Sequence, residues 1–275
     1  MKKLLTILAT LVLTIGCVFG LTACGPAENT LYVYTNAGFA PYEYVNEKGE
    51  VVGVDIDIMK EVGEVLGYKV IINDIEFDQI LVEVAKNEFA VGAAGMTKKA
   101  ERDAVALPSI EYAESVQYVI VPANAFTDKD ENDTITVAEL ESITTKAIGV
   151  QRGTTGDFLI SDAVNGYEDE NEEHVTGELE NKGIECLTYS NAIIASQDIG
   201  TTLGAVVIDK LPAQSICKGN SNLKCFKLDS EPENYVLYFN KNATALRDKV
   251  NEVLEVMIEK GVIDFYTLKH SGGIV

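Results

Sequence analysis

The sequence predicts an α/β protein of two lobes, each a mixed, mainly parallel sheet flanked by helices, joined by a hinge of two strands. Three observations carry this. From residue 31 onward, short apolar runs bounded by turn residues alternate with amphipathic helical stretches, the pattern of parallel strands linked by helices. The alternation runs from "LYVYTN" to "VQYVIV" and then restarts at "KAIGV". A long amphipathic helix, "TALRDKVNEVLEVMIEKG", follows the second series with no sheet of its own to cover, so it is expected to pack back on the first lobe.

The elements follow in order. "LYVYTN" and "KVIIND" read as strands, and between them "VDIDIMKEVGEVLGY" sets Ile58, Met59, Val62, Val65 and Leu66 at helical spacing before Gly67. "FDQILVEVAKNE" is a second helix, "AVGAA" a short buried strand, and "TKKAERDAV" a helix opening at Thr97, a good N-cap type. "VQYVIV" is a further strand. In the second series "KAIGV", "IECLTY" and "GAVVI" are strands, and "TTGDFLISDAV", "NAIIASQDI" and "DKLPAQSIC" are helices. After "LKCFKL" the loop "DSEPEN" leads into "YVLYFN" and the last long helix. The expected division is residues 31–115 plus 236–275 for lobe 1 and 116–235 for lobe 2, with crossings near residues 112–118 and 230–235. A cleft between two such lobes is a favoured place for a ligand.

The first 25 residues hold two lysines, a long uncharged apolar run and small residues ending at a cysteine, which is an export signal. "LTAC", Leu21 to Cys24, resembles the lipobox of bacterial lipoproteins. That implies cleavage of residues 1–23, acylation of Cys24 and a tether over 24–30. An uncleaved membrane anchor is the alternative, since the run is long enough to span a bilayer.

The formal charge is −21. Lys2 and Lys3 are the only charges in the leader, so cleavage makes the chain more acidic still. Such a surface has no basic patch to neutralise phosphates, which excludes nucleic acid as an expected partner. It also argues against electrostatic adhesion to anionic lipid, leaving an acyl chain as the means of membrane attachment. The acidic runs "DKDEND" and "YEDENEEH" read as solvated loops.

Beyond Cys17 and Cys24, the cysteines are Cys186, Cys217 and Cys225. Cys217 and Cys225 flank the turn-like "KGNSNLK", so in an oxidising compartment they could pair, leaving Cys186 free. With only His174 and His270 present, neither a Cys/His metal site nor a histidine triad is expected.

The stretch "GAAGMTKKAER", Gly92 to Arg102, joins a buried strand, a small-residue turn and an arginine, the parts of an anion site. With "TNAGFAPYEYVNEKGEVVGVDIDIMKEV", "GVQRGTTGDF" and "GAVVIDKLPA", it gives the chain from about residue 31 to 269 a close resemblance to the extracellular solute-binding proteins, family 3, of polar amino-acid ABC importers. The resemblance implies a two-lobed periplasmic-binding-protein-like fold of type II and a lipid-tethered monomer outside the cell membrane. It implies capture of an L-amino acid with hinge closure and delivery to an ABC permease, without cofactor or catalysis.

It also implies roles residue by residue. Arg102 holds the ligand α-carboxylate in a bidentate fork that lysine cannot reproduce. Gly95 offers a carbonyl to the α-ammonium, and Thr97 an N–H and hydroxyl to the carboxylate. Thr155 adds donors at a second helix N-terminus, and Asp209 pairs with the ammonium. Phe39 and Phe77 sandwich the ligand side chain, and Asn36 and Gln151 line its pocket; Met96 and Thr154, in the same stretches, complete the expected ligand-binding set. Read without the resemblance, Arg102 is an exposed helix arginine, Thr97 and Asp209 are N-caps, and the two aromatics are core.

Lys98 and Lys99, the reduced hinge segment "LPSIEYAES" and a C-terminus without tryptophan depart from the family's pattern. The competing expectation is an enzyme of the same fold such as a cyclohexadienyl (arogenate or prephenate) dehydratase, for which Glu43 is the nearest candidate acid. Neither the amino acid nor the permease is legible.

Overall fold

The computed structural model describes residues 29–130 and 132–272. The leader, Cys24 and nearly all of the expected tether lie outside them. The chain forms two compact units. The first takes residues 29–37, Pro41–Ala113 and the described residues from Asn234; the second takes Gly38–Ala40 and the described residues of Glu114–Glu233.

The main elements, in chain order, are β1 (Thr30–Thr35), α1 (Val54–Leu66), β2 (Lys69–Asp74), α2 (Ile80–Val84), β3 (Ala90–Gly92), α3 (Ala100–Val105) and β4 (Leu107–Pro108). The second unit carries β5 (Gln117–Pro122), β6 (Thr134–Ile135), β7 (Ala147–Gln151), α4 (Thr155–Asn165), β8 (Glu185–Tyr189), α5 (Ala192–Gln197), β9 (Ala205–Asp209), α6 (Lys210–Gly219) and β10 (Leu223–Leu228). The chain returns to the first unit with β11 (Tyr238–Phe239), α7 (Thr244–Glu259) and α8 (Val262–His270).

In the first unit the strand order is β2-β1-β3-β11-β4. β1 runs parallel to β2 (Val33 opposite Ile72) and to β3 (Val33 opposite Val91). β11 runs antiparallel to β3 and β4. Leu31, Val33 and Thr35 of β1 are buried on one face, as the period-2 pattern requires. α1 buries Ile58, Met59 and Val62 and ends at Gly67, whose φ of 73° makes a left-handed cap. Gly63 lets α1 lie on the sheet: a Cβ there would meet the Val70 side chain at 2.4 Å. α7 and α8 pack against α1, so the last helices cover the first unit. Asp57 of α1 ties them down, accepting from His270 Nε2 at 2.8 Å and from Lys269, while Tyr44 meets the other ring nitrogen at 3.1 Å.

In the second unit the order is β6-β10-β5-β9-β7-β8. β7 is parallel to β8 and β9, and β6 to β10, while β5 runs antiparallel to β9 and β10. β5 and β11 are the antiparallel strands in the middle of their sheets, and each is the strand that follows one of the two crossings of the chain. Val119, Val121, Ile148, Val150, Ile160, Val207, Phe226 and Leu228 form the core.

One expected element is corrected. The helix expected to open at Thr97 begins at Ala100, with Lys99 in the N-cap place and no side-chain cap. Residues 96–98 are held extended instead: Val236 N–H donates to Met96 O at 3.0 Å, Lys98 N–H donates to Asn234 O at 2.8 Å, and Thr97 bridges Tyr235. "YVLYFN" runs from the last residue of a short strand, Glu233–Tyr235, into β11. Between them the backbone changes partner, with Leu237 N–H donating to Ser109 Oγ at 2.9 Å and its carbonyl accepting from Ser109 N–H at 2.8 Å.

Candidate functional site

In the first unit the loops after β1, β2 and β3 bring one set of residues together. Asn36, just past β1, donates its amide to Ile75 O at 2.7 Å, tying the ends of β1 and β2. Phe77 opens a single 3₁₀ turn after β2. Arg102, in α3, is buried. Its Nη1 donates to Thr97 O at 2.8 Å and its Cζ stands 5.4 Å from the centre of the Phe77 ring, a cation–π distance. The guanidinium is therefore anchored on two sides. A guanidinium held in this way presents a planar fork of donors, the geometry that suits an anion such as a carboxylate. Met96 sits in the core beside Phe77, Ile80 and Val84.

Gly95 takes a φ of 52°, a conformation glycine adopts without penalty, and its N–H donates to Asp55 Oδ2 at 2.9 Å. Asp55 is fully buried in the first turn of α1 and accepts from the Tyr112 hydroxyl at 2.7 and 2.8 Å. Burial raises its pKa to about 6 against the opposing pull of these hydrogen bonds. Asp55 thus fixes the turn that aims the Gly95 carbonyl. Sequence reasoning missed it, because an acid early in an amphipathic helix looks like a solvent-facing one.

In the second unit Gln151 ends β7 and Thr155 opens α4. Thr154 caps α4: its hydroxyl accepts from Asp157 N–H at 3.2 Å and donates to Gln151 O at 2.8 Å. Asp209 occupies the N-cap place of α6 without a side-chain cap bond. Its Oδ1 instead accepts from Gln117 Nε2 at 3.1 Å. The same Nε2 donates to Glu233 Oε1 at 2.7 Å, and Thr155 Oγ1 donates to Glu233 Oε2 at 2.7 Å. Gln117 Oε1 has no hydrogen-bond partner among the described residues. Phe39 is buried and belongs to the second unit with Gly38 and Ala40. The second unit therefore gathers Thr155, Asp209, Gln117 and Glu233, an arrangement rich in carboxylate oxygen and suited to a cation. Gln117 and Glu233 were also missed. The available signal was a glutamine inside the apolar run "VQYVIV", since a buried amide must find partners.

Among the described residues no group of histidines, cysteines and acids could hold a metal, and no helix is long and apolar enough to cross a membrane.

The family model of bacterial extracellular solute-binding proteins, family 3, matches residues 31–272. The chain belongs to this family. A probable histidine-binding protein of Neisseria gonorrhoeae is 25% identical over 253 residues, covering 89% of this chain and 85% of that one. The arginine-binding extracellular protein ArtP of Bacillus subtilis (strain 168) is 24% identical over 276 residues, covering 96% of each. Among solved structures, an ancestral arginine-binding protein bound to arginine superposes with a TM-score of 0.72 at 27% identity, covering 88% of this chain and 98% of that one. Holo ArgBP from T. maritima gives 0.67 at 26%, covering 86% and 96%. The fold of this family member is accordingly the mixed α/β, type II fold of periplasmic amino-acid-binding proteins. Similarity to a cyclohexadienyl dehydratase of Pseudomonas aeruginosa is confined to 85 residues, 31% of this chain.

Proposed function

We propose that this protein is the substrate-binding subunit of an ABC importer. It captures a polar L-amino acid outside the cell, is tethered through a lipid on Cys24, works as a monomer and delivers its ligand to a membrane permease. What supports the reading is the family match over residues 31–272, together with an anchored arginine in the first unit and, separately, a carboxylate-rich group around Asp209 in the second. These are the groups a zwitterion needs, one for its carboxylate and one for its ammonium. In this reading Arg102, Thr97 and Thr155 take the carboxylate, and Asp209 and the Gly95 carbonyl take the ammonium. Phe39, Phe77, Asn36 and Gln151 face the side chain, with Met96 and Thr154 shaping the loops. A ligand held by both groups stabilises only the conformation in which both reach it.

The relatives are named for arginine, histidine and cystine, so these lead the ligand screen. Thermal shift of residues 25–275 against the twenty amino acids and cystine tests the proposal. At 100 times Kd a true ligand adds about 2.7 kcal/mol, a rise in Tm of roughly 5–10 °C. No shift with any amino acid, or turnover of arogenate or prephenate, would overturn it.

A further inference from the structure

Cys217 stands in the last turn of α6 and Cys225 at the third position of β10. Both are half-buried thiols, and Cys217 is hydrogen-bonded to Cys225. The segment between them is held in place. Asn220 N–H donates to Cys217 O at 3.1 Å, Leu223 N–H donates to Asn220 O at 3.0 Å, and Asn222 N–H donates to Asn220 Oδ1 at 3.1 Å. Cys225 is fixed in register opposite Ile120 of β5. The contact is thus set by the packing of α6 on the sheet. Cys186, by contrast, lies on β8 and meets Ser161 Oγ at 3.6 Å.

We propose that Cys217 and Cys225 are a redox-active dithiol that closes to an intramolecular disulfide outside the cell, with a small-molecule or protein disulfide as the oxidant. The inference stands apart from the ligand site and needs no ligand. Its chemistry follows from the pair. The hydrogen bond to Cys225, together with burial, pushes the Cys217 thiol up, and whichever of the two sulfurs loses its proton first attacks. That thiolate attacks one sulfur of the oxidant, breaks its S–S bond and expels a thiolate, giving a mixed disulfide. The other cysteine then loses its proton and attacks the sulfur of the first, releasing the second half of the oxidant as a thiolate. Two S–H bonds are lost and one S–S bond forms, and the oxidant disulfide is reduced to two thiols. The new bond staples the end of α6 to β10, and α6 is the helix that begins directly after Asp209.

Trypsin reads the outcome, because Lys210, Lys218, Lys224 and Lys227 isolate each cysteine on its own peptide. The full chain, exported and treated with oxidised glutathione, is alkylated without reduction and digested. Residues 211–218 are expected joined to residues 225–227 and released on reduction. In Cys217→Ser, residues 225–227 are expected to carry glutathione, the trapped mixed disulfide. The oxidised wild type is also expected to melt about 4–8 °C above the reduced form, a gap that Cys217→Ser and Cys225→Ser both lack. Recovery of both peptides singly alkylated after oxidation, or linkage of either to Cys186, would overturn the proposal.

Discussion

Arg102→Lys keeps the charge and removes the fork, so it isolates the contribution of geometry. In the wild type the guanidinium is buried, donates to Thr97 O at 2.8 Å and lies 5.4 Å from the Phe77 ring centre. A lysine ammonium is a compact point charge with three donors and cannot bond Thr97 O and grip both oxygens of a carboxylate in one plane. Loss of one charge-assisted hydrogen bond to the ligand costs roughly 1.5–3 kcal/mol, tenfold to more than a hundredfold in Kd. Loss of the Thr97 bond costs the free protein about 1 kcal/mol, or 2–4 °C in Tm. Isothermal titration calorimetry with the screened amino acid measures the first, and a thermal melt without ligand the second. A Kd within twofold of wild type, in a variant that melts within a few degrees of it, would refute the assignment of Arg102 as the carboxylate clamp.

Gln117→Leu removes the amide that two carboxylates share and leaves Asp209 and Glu233 without its donors; a loss of about 1–3 kcal/mol in urea melts is expected, with weaker ligand binding in calorimetry. Asp55 gives a signature in pH. Its folded pKa, raised to about 6 from 3.8, means the folded state holds the proton where the unfolded state has lost it. Stability therefore falls as pH rises from about 4 to 6, by up to roughly 3 kcal/mol, and Asp55→Asn should flatten that segment of the pH–stability curve. Asp57 behaves oppositely. Burial raises its pKa, but the bonds from His270 and Lys269 outweigh it and hold the pKa below 3.8, so its stabilisation is present above that value and is lost as pH falls through the folded pKa. Asp57→Asn should lower the urea midpoint at neutral pH by the equivalent of about 1.5–3 kcal/mol. Cys24→Ser should abolish incorporation of a labelled fatty acid into the exported chain; retained label would count against acylation at Cys24.

How far the sequence reached depends on the separation of the partners. Strands such as "GAVVI" and helices such as α1 are legible because their determinants are local: apolar period, bounding glycine, cap. Thr97 looked like an N-cap for the same reason, and the reading failed because what holds residues 96–98 extended is the backbone of residues 234–236, about 140 residues away. Nothing within "YVLYFN" announces that Ser109 will take the backbone of Leu237. At the site, the Arg102 and Asp209 positions came from the resemblance to the family's motifs. Asp55 with Gly95, and Gln117 with Glu233, are pairings across 40 and 116 residues, made by side chains whose types are ordinary where they stand. Their chemistry becomes visible only when burial forces each polar atom to find a partner.

The central claim is that recognition rests on the two charged ends of an amino acid. Calorimetry of the wild-type protein with the best amino acid from the screen, its decarboxylated amine and its deaminated acid tests it directly. The account predicts that each truncated analogue binds at least a hundredfold more weakly, since each leaves one charged group of the site uncompensated, a loss of about 2.7 kcal/mol or more. Near-equal affinity for the amine lacking the carboxylate would contradict it.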